Sequence, residues 1–343
     1  MDSFLKLSST ILNSKMKKIS LIFLYSLFYF SSFSQMFKTD NPLAHTYSIV
    51  ARDPITGEMG VAVQSHWFSV GTAVSWAEAG VGAVATQSFV NKSFGIRGLQ
   101  LLKTGLTAQE TLDKLLSDDE GREVRQVAIV DNKGNVATHT GKNCIDYATH
   151  IKGNGYSVQS NMMLTDKVCS AMSQAYEKNK NKVLAERMIL ALEAAQKAGG
   201  DIRGQQSAAI VIVPAKSDGK LWDERTVDLR VDDSPAPIKE LQRLYKVHVA
   251  YEHMNKGDLY VEKNNMSAAM DEYKASMKMF PQNLEMQYWT AITLANNKQI
   301  DKALPILKRI FAKDNNWKVL TRRLPKVNLL TVDNATFKKI LAL

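Results

Sequence analysis

The chain has 343 residues, 45% hydrophobic and 23% charged, a composition typical of a folded globular protein long enough for two domains. Its formal charge of +10 divides into +3 for residues 1–34, −1 for 35–237 and +8 for 238–343. The long middle segment is therefore almost neutral. The basic surplus at the C-terminus lacks the dense basic and aromatic stripe of a nucleic-acid binder, so a dedicated nucleic-acid-binding function is excluded.

The N-terminus has the pattern of an export signal over residues 1–34. Met16 to Lys18 is basic, residues 19–33 form an apolar run, and small serines precede a cleavage point before Gln35. We expect export to the periplasm or the cell exterior of a bacterium, with Met16 a better start than Met1. The apolar run is short for a membrane span, and an uncleaved membrane anchor is the alternative.

Cysteine usage leaves the redox state of the chain open. Cys144 and Cys169 are the only two cysteines of the sequence. An oxidising compartment would allow a disulfide between them, and two independent buried thiols are the alternative. Neither cysteine lies in a motif that indicates a nucleophile.

The segment 45–91 organises the rest of the chain. Residues 46–51 are rich in β-branched side chains, which alternate between the two faces of a predicted strand. Residues 53–57 supply the Asp, Pro and Gly of a hairpin loop. Residues 59–63 are apolar on both faces, which predicts a buried strand. A third strand, 82–87, ends on polar residues. Sites tend to form at such strand ends.

Further elements follow in blocks up to residue 231. Thr107 and Glu110 have the spacing of a capping box, and Gly199-Gly200 has the pattern of a helix C-cap. The predicted helices are 95–103, 107–116, 166–180 and 183–198, and the predicted strands are 125–130, 135–139, 156–159, 207–213 and 227–231. Such alternation of strand and helix blocks favours an α+β sandwich, with helix layers around two sheets.

Seven separated motifs occur in the order of a known family. They are HTYSIVARDPITGEMGVAVQS, GVGAVATQSFVN, GREVRQVAIVD, ATHTGKNC, GYSVQSNMM, GGDIRGQQSAA and VDLRVDD. The chain resembles the family of unknown function numbered 1028, which is similar to the N-terminal-nucleophile (Ntn) hydrolases. The resemblance implies a four-layer αββα fold for residues 45–237, after a lead-in of residues 35–44. It implies no particular reaction, because the family's own reaction is not established.

Residues 238–343 form a separate, small all-α domain with the spacing of a tetratricopeptide repeat. The matching positions of the first copy are Gly257, Ala269, Tyr273 and Pro281. A degenerate second copy follows 34 residues later, with Ala303 in register with Ala269. A short solenoid of this kind usually binds a protein partner, and a helical stabilising appendage is the alternative.

Ntn chemistry requires a Thr, Ser or Cys at the start of a strand, with its own freed α-amine as the base. Thr46 opens the first strand, so we hypothesise that it is the nucleophile. This role requires a cut between His45 and Thr46, and no feature of the sequence at His45 indicates self-cleavage. Ser48 lies on the same face but gains no terminal amine from that cut, which makes it the weaker candidate. The alternative for both residues is that they are ordinary polar side chains of the strand with no catalytic role.

Five uncharged polar residues at the ends of predicted strands or in loops are candidates for substrate binding. They are Ser65, Gln87, Asn91, Asn161 and Gln206. Amides and hydroxyls that converge on one cleft suit a peptide-like amide substrate or an oxyanion hole. A structural hydrogen bond is the alternative for each residue alone. Arg52 and Asp53 are assigned to a turn, as an ion pair or an Asx turn.

The sequence predicts no metal site and no cofactor. The spacing of His66, His139 and His150 fits no compact ligand motif, and neither HExxH nor a phosphate-binding glycine loop is present. The tryptophans Trp67, Trp76 and Trp222 are interpreted as core or cleft-wall residues.

Three functions remain after these exclusions. The first is an exported Ntn-type amidohydrolase or peptidase acting on a peptide-like or small-molecule substrate, without stable membrane insertion once the signal is cleaved. The second is a catalytically silent Ntn-like fold that binds a ligand in the same cleft. The third is an interaction protein that works through residues 238–343. The fold class favours the first and is compatible with a homodimer, although fold alone does not fix function.

Overall fold

The structure is a computed structural model that describes residues 43–343. The predicted export signal, its membrane-anchor alternative and most of the lead-in lie outside the described residues. The described chain divides into two compact units, one ending at Ile238 and one beginning at Lys239. Among the described helices, none combines the length and the hydrophobicity needed to cross a membrane.

The first unit contains two antiparallel sheets. The strands are β1 (Leu43–Ala44), β2 (Thr46–Arg52), β3 (Met59–Ser65), β4 (Ser75–Glu78), β5 (Gly82–Phe89), β6 (Arg125–Asp131), β7 (Val136–Thr140), β8 (Thr149–Gly153), β9 (Tyr156–Ser160), β10 (Ser207–Val213) and β11 (Val227–Val231). The five-stranded sheet has the order β1-β5-β6-β7, with β4 also paired to β5. The six-stranded sheet has the order β11-β10-β3-β2-β9-β8.

Helices pack against both sheets of this unit. They are α1 (Gly71–Val74), α2 (Ser93–Lys103), α3 (Ala108–Ser117), α4 (Val168–Lys178) and α5 (Leu184–Lys197). Helices α2 and α3 share an apolar cluster with one face of the five-stranded sheet, through residues such as Phe94 and Val127. Helices α4 and α5 contact the six-stranded sheet, where the Tyr47 hydroxyl donates a 2.8 Å hydrogen bond to the Gln196 side chain.

The remaining faces of the two sheets meet in a common core. Alternate residues of a strand point to opposite faces, so every second side chain of the central strands enters this core. Val61 and Val63 of β3 lie there with Ala85 of β5 and Ala128 of β6, all fully buried. Small and β-branched side chains fill the space, which lets the two sheets approach closely.

The long, periodic elements of the first unit match the sequence prediction, but four short ones were missed. Strands β1, β4 and β8 and helix α1 have only two to five residues. Segments so short carry no readable period, and no helix or strand was predicted between residues 63 and 82, where α1 and β4 lie.

Particular local predictions have mixed outcomes. The Asx turn at Asp53 is confirmed, since its Oδ1 accepts from the amides of Ile55 and Thr56 at 2.8 Å each. The ion pair of Asp53 is with Arg187 rather than with its neighbour Arg52. The interpretation of Trp222 as a core residue was wrong, because its side chain is 84% exposed.

The second unit is helical. Its helices are α6 (Pro237–Glu262), α7 (Met266–Met279), α8 (Leu284–Asn296), α9 (Ile300–Lys313), α10 (Asn316–Thr321) and α11 (Asn334–Leu341). The absence of a side chain at Gly257 matters, because a Cβ there would lie 2.3 Å from the Tyr273 ring. Ala269 and Ala303 are both fully buried. Small residues thus allow the close packing of these helices.

The capping box at the start of α3 is a test of the local structure. Thr107 accepts from the Glu110 amide, and the Glu110 side chain accepts from the Thr107 amide at 2.8 Å. Thr107→Ala should lower the free energy of unfolding by about 1 kcal/mol, measured by urea denaturation. Thr72→Ala, which removes an exposed hydroxyl bonded only to the Ser69 carbonyl, is the control and should change it by less than about 0.5 kcal/mol.

Candidate functional site

The space between the two sheets is apolar in its middle and polar at one end. At the polar end, six side chains with amide or hydroxyl groups face one another, and none has any exposed surface. They are Thr46 and Ser48 of β2, Gln87 of β5, Gln126 of β6, Gln159 of β9 and Asn161 just after β9. Buried polar groups are stable only when they are hydrogen-bonded, so their contacts define the arrangement.

The orientation of the Gln126 amide is fixed by its neighbours. Its Nε2 donates to the Thr149 and Ser160 carbonyls at 3.2 and 2.9 Å, and carbonyls can only accept. Its Oε1 therefore faces the other way, where it accepts from Gln87 Nε2 at 2.7 Å and from Asn161 Nδ2 at 2.8 Å. One side chain thus determines how two further amides are oriented.

Because Asn161 donates through Nδ2, its Oδ1 faces the ring of His45, 2.7 Å from Nδ1. An amide oxygen cannot donate, so the imidazole carries its proton on Nδ1. The ring edge also contacts Phe89, with centroids 5.7 Å apart at 89°. Burial lowers the pKa of His45 below its usual value of 6.5, which keeps the ring neutral at pH 7.

Ser48 is held by two hydrogen bonds. Its hydroxyl donates to Gln87 Oε1 and accepts from Gln159 Nε2, both at 2.6 Å. The hydroxyl therefore links the amides of β5 and β9 across the two sheets.

Thr46 opens β2, opposite Ser65 of β3. The Thr46 hydroxyl donates to the Ala44 carbonyl at 2.9 Å, and the Thr46 carbonyl accepts from the backbone N–H of Asn161 at 3.1 Å. The residues before it continue into the site, because β1 pairs with the end of β5. The peptide bond between His45 and Thr46 therefore lies at the edge of the polar cluster.

The carbonyl oxygen of His45 accepts two hydrogen bonds. Ser65 Oγ donates at 2.5 Å and Arg203 Nη2 donates at 3.0 Å. The guanidinium of Arg203 is held by Asp201, a carboxylate with no exposed side-chain surface, at 2.7 and 3.0 Å. A hydroxyl and a cation on one carbonyl oxygen are the arrangement that stabilises negative charge on that oxygen.

The predicted site residues separate into two groups. Thr46, Ser48, Gln87 and Asn161 share the polar cluster, and Ser65 bonds the carbonyl at its edge. The side chains of Asn91 and Gln206 make contacts outside the cluster instead. Asn91 accepts from the Ser93 amide and hydroxyl at the start of α2, and Gln206 donates to Asp233.

Sequence reasoning missed four residues of this arrangement, namely His45 as a bound side chain, Gln126, Asp201 and Arg203. Asp201 and Arg203 lie in the motif GGDIRGQQSAA, from which only Gln206 was selected. These two residues carry opposite charges two positions apart, in a motif whose other residues are mostly small or polar. This pair of charges was the signal that could have indicated them.

Other reactive side chains lie apart from the cluster or are buried thiols. The residues that the structure describes hold no group of three or more His, Cys, Asp or Glu placed to bind a metal ion. His139 contacts the Arg122 carbonyl, and His150 contacts Thr140. Cys144 and Cys169 are both free and buried, and burial raises the pKa of the Cys169 thiol to about 11.

Two antiparallel sheets that enclose a buried polar cluster, followed by a helical region, define a mixed α+β protein. The model of the family of unknown function DUF1028 matches residues 46–241, and the chain belongs to this family. None of the curated proteins matches the chain.

One solved structure supports this assignment. Protein SPO2555 from Silicibacter pomeroyi, also of the DUF1028 family, shares 31% sequence identity with a TM-score of 0.54, covering 59% of this chain and 85% of its own. Anbu (ancestral beta-subunit) from Yersinia bercovieri shares 11% identity with a TM-score of 0.29, covering 58% of this chain and 93% of its own. The second similarity is too low to support any inference.

Gln126→Leu tests the polar cluster. It leaves the Nε2 of Gln87 and the Nδ2 of Asn161 without this acceptor and removes the donor to two carbonyls. We expect the free energy of unfolding to fall by about 3 kcal/mol or more, measured by urea denaturation. Gln109→Leu, on the exposed face of α3, is the matched control and should change it by less than about 0.5 kcal/mol. Equal effects of the two substitutions would contradict the structural role of Gln126.

The buried His45 and the half-buried His150 predict a pH dependence of stability. The pKa values of His45 and His150 are both lowered, chiefly by burial, from 6.5. Below pH 6.5 the unfolded chain therefore binds protons that the folded chain does not, and the free energy of unfolding falls as the pH decreases. Urea denaturation at pH 7.5 and 5.5 measures this loss. His45→Asn should make the loss smaller, and an unchanged loss would show that His45 is not neutral in the folded chain.

Proposed function

We propose that the chain is the precursor of an exported Ntn-type amidohydrolase with Thr46 as its nucleophile. The observation that carries this proposal is the pair of donors, Ser65 and Arg203, on the carbonyl that directly precedes Thr46. Two facing sheets with helices packed against each are consistent with the four-layer αββα fold of Ntn hydrolases. Membership of the DUF1028 family is compatible with this activity, but it does not indicate a reaction, because the family is one of unknown function.

The first step of the proposed function is cleavage of the bond between His45 and Thr46. Thr46 Oγ adds to the His45 carbonyl carbon, and the developing negative charge on the carbonyl oxygen is stabilised by Ser65 and Arg203. The hydroxyl proton passes to the Thr46 nitrogen as the C–N bond breaks, which leaves an ester. Water then hydrolyses the ester, releasing the His45 carboxylate and the α-amine of Thr46.

The freed α-amine is the base of the mature site. It titrates near pH 8, so about a tenth of it is unprotonated at pH 7 and can accept the proton of the Thr46 hydroxyl. The hydroxyl then attacks the carbonyl of an amide substrate. The side chains of Ser65 and Arg203 can serve the substrate oxygen as they serve the His45 carbonyl, because both donors remain on the protein.

A second candidate function is a silent Ntn-like fold that binds a ligand without hydrolysing it. It is favoured by the burial of Thr46, whose hydroxyl is bonded to the Ala44 carbonyl. In either case, we propose that the helices from residue 239 onwards form a tetratricopeptide-like surface for a protein partner.

Replacing the nucleophile tests the proposed function directly. The exported wild-type protein should begin at Thr46, as determined by N-terminal sequencing and intact mass. Thr46→Ser keeps a hydroxyl and should still be cleaved, whereas Thr46→Ala should remain uncleaved before residue 46 and should not hydrolyse amide substrates. A wild-type protein with Thr46 still internal would contradict the hydrolase and favour the binding function.

The donors on the His45 carbonyl give a quantitative prediction. Ser65→Ala should slow the appearance of the Thr46 terminus by about 100-fold to 1,000-fold, the usual effect of removing one oxyanion donor. The rate is measured from the intact mass of the purified chain over time. Ser170→Ala, which removes a hydroxyl bonded only within its own helix α4, is the control and should leave the rate unchanged. An unchanged rate for Ser65→Ala would show that the Ser65 hydroxyl does not stabilise the oxyanion.

A further inference from the structure

We infer that Leu43, Ala44 and His45 occupy the acyl side of the substrate-binding site and so display the substrate that the mature enzyme accepts. This substrate is an extended peptide amide whose residue before the scissile bond carries a planar side chain with an N–H donor, an imidazole or a carboxamide. The inference rests on the proposed function, because it requires Thr46 to attack first the chain and then the substrate.

The backbone of the segment binds as an added strand. Leu43 lies opposite Phe89 and Ala44 opposite Ser88, antiparallel to the end of β5. Strand β4 covers the same edge of β5 only from Gly82 to Ala85. Departure of the segment therefore exposes the backbone groups of residues 88 and 89, and another extended peptide can pair with them in the same register.

The side chain of His45 lies in a pocket that is specific for a donor. Asn161 presents its Oδ1 to the ring, and the Gln126 amide prevents Asn161 from turning over. Phe89 contacts the ring edge at right angles. A planar side chain with N–H at the δ position fits this pocket, which His and Asn both provide. An Asp side chain would place a carboxylate oxygen against Asn161 Oδ1.

The next position requires a small residue. Ala44 is fully buried in the core between the two sheets, together with Val90 and Val63. A larger side chain at this position would meet packed neighbours on that face. We therefore expect a substrate with a small residue followed by His or Asn. The carbonyl of that His or Asn is the one that Ser65 and Arg203 bind.

The inference is tested with four acetyl-Leu-Ala-Xaa-amidomethylcoumarin substrates, in which Xaa is His, Asn, Asp or Leu. Asn, Asp and Leu have nearly the same size, so they compare a donor, an acceptor and an apolar group. With the processed protein, kcat/KM for His and Asn should exceed that for Asp and Leu at least tenfold. In Asn161→Leu this preference should disappear. Equal values for all four substrates would overturn the inference and leave the hydrolase intact.

A binding measurement separates the inference from the proposed function. The peptides acetyl-Leu-Ala-His and acetyl-Leu-Ala-Asp are titrated into the processed protein by calorimetry. Tighter binding of the His peptide without hydrolysis of any substrate would support the pocket and contradict the hydrolase. Binding of neither peptide would overturn the inference. A chain that keeps His45 joined to Thr46 after export would overturn both proposals.

Discussion

The orientation of one buried amide determines the candidate site. The carbonyls of Thr149 and Ser160 belong to the six-stranded sheet and accept only, so they hold the Nε2 of Gln126 on β6 of the other sheet. The orientation of Gln126 sets those of Gln87 and Asn161, and these two amides in turn bond to Ser48 and to His45. The two sheets are therefore joined by apolar packing in the middle and by oriented amides at one end. Buried side chains that are hydrogen-bonded to one another in this way hold each other in a fixed orientation.

The same network explains why the segment before Thr46 is fixed in the site. Asn161 binds the His45 ring, while Ser65 and Arg203 bind its carbonyl. A hydroxyl and a guanidinium on one carbonyl oxygen are the two donors that the proposed cleavage of this bond requires. The contacts that hold His45 are thus the contacts on which the proposed cleavage depends.

Several parts of this account could be predicted from the sequence. Strand periodicity located β2, β3 and β5, and polar residues at their ends pointed to Thr46, Ser65 and Gln87. Gln126 could not be found in this way, because its role depends on two carbonyls of the opposite sheet. The sequence of a single strand does not show which strands of another sheet lie beside it. Asn91 and Gln206 lie just beyond strand ends, where nearby partners satisfied them. The hydrogen bond from Arg203 to the His45 carbonyl could not be predicted either, because the two residues lie 158 positions apart in the chain.

The central claim is that the amide network holds His45 as a neutral ring with its proton on Nδ1. The direct measurement is the nitrogen-15 NMR spectrum of the histidine rings in the Thr46→Ala chain, in which His45 stays linked to residue 46. The account predicts that His45 is neutral at pH 7, with Nδ1 protonated and Nε2 bare. A ring protonated on Nε2 alone, or an imidazolium, would show that Asn161 and Gln126 are not oriented as described and would contradict the site built on them.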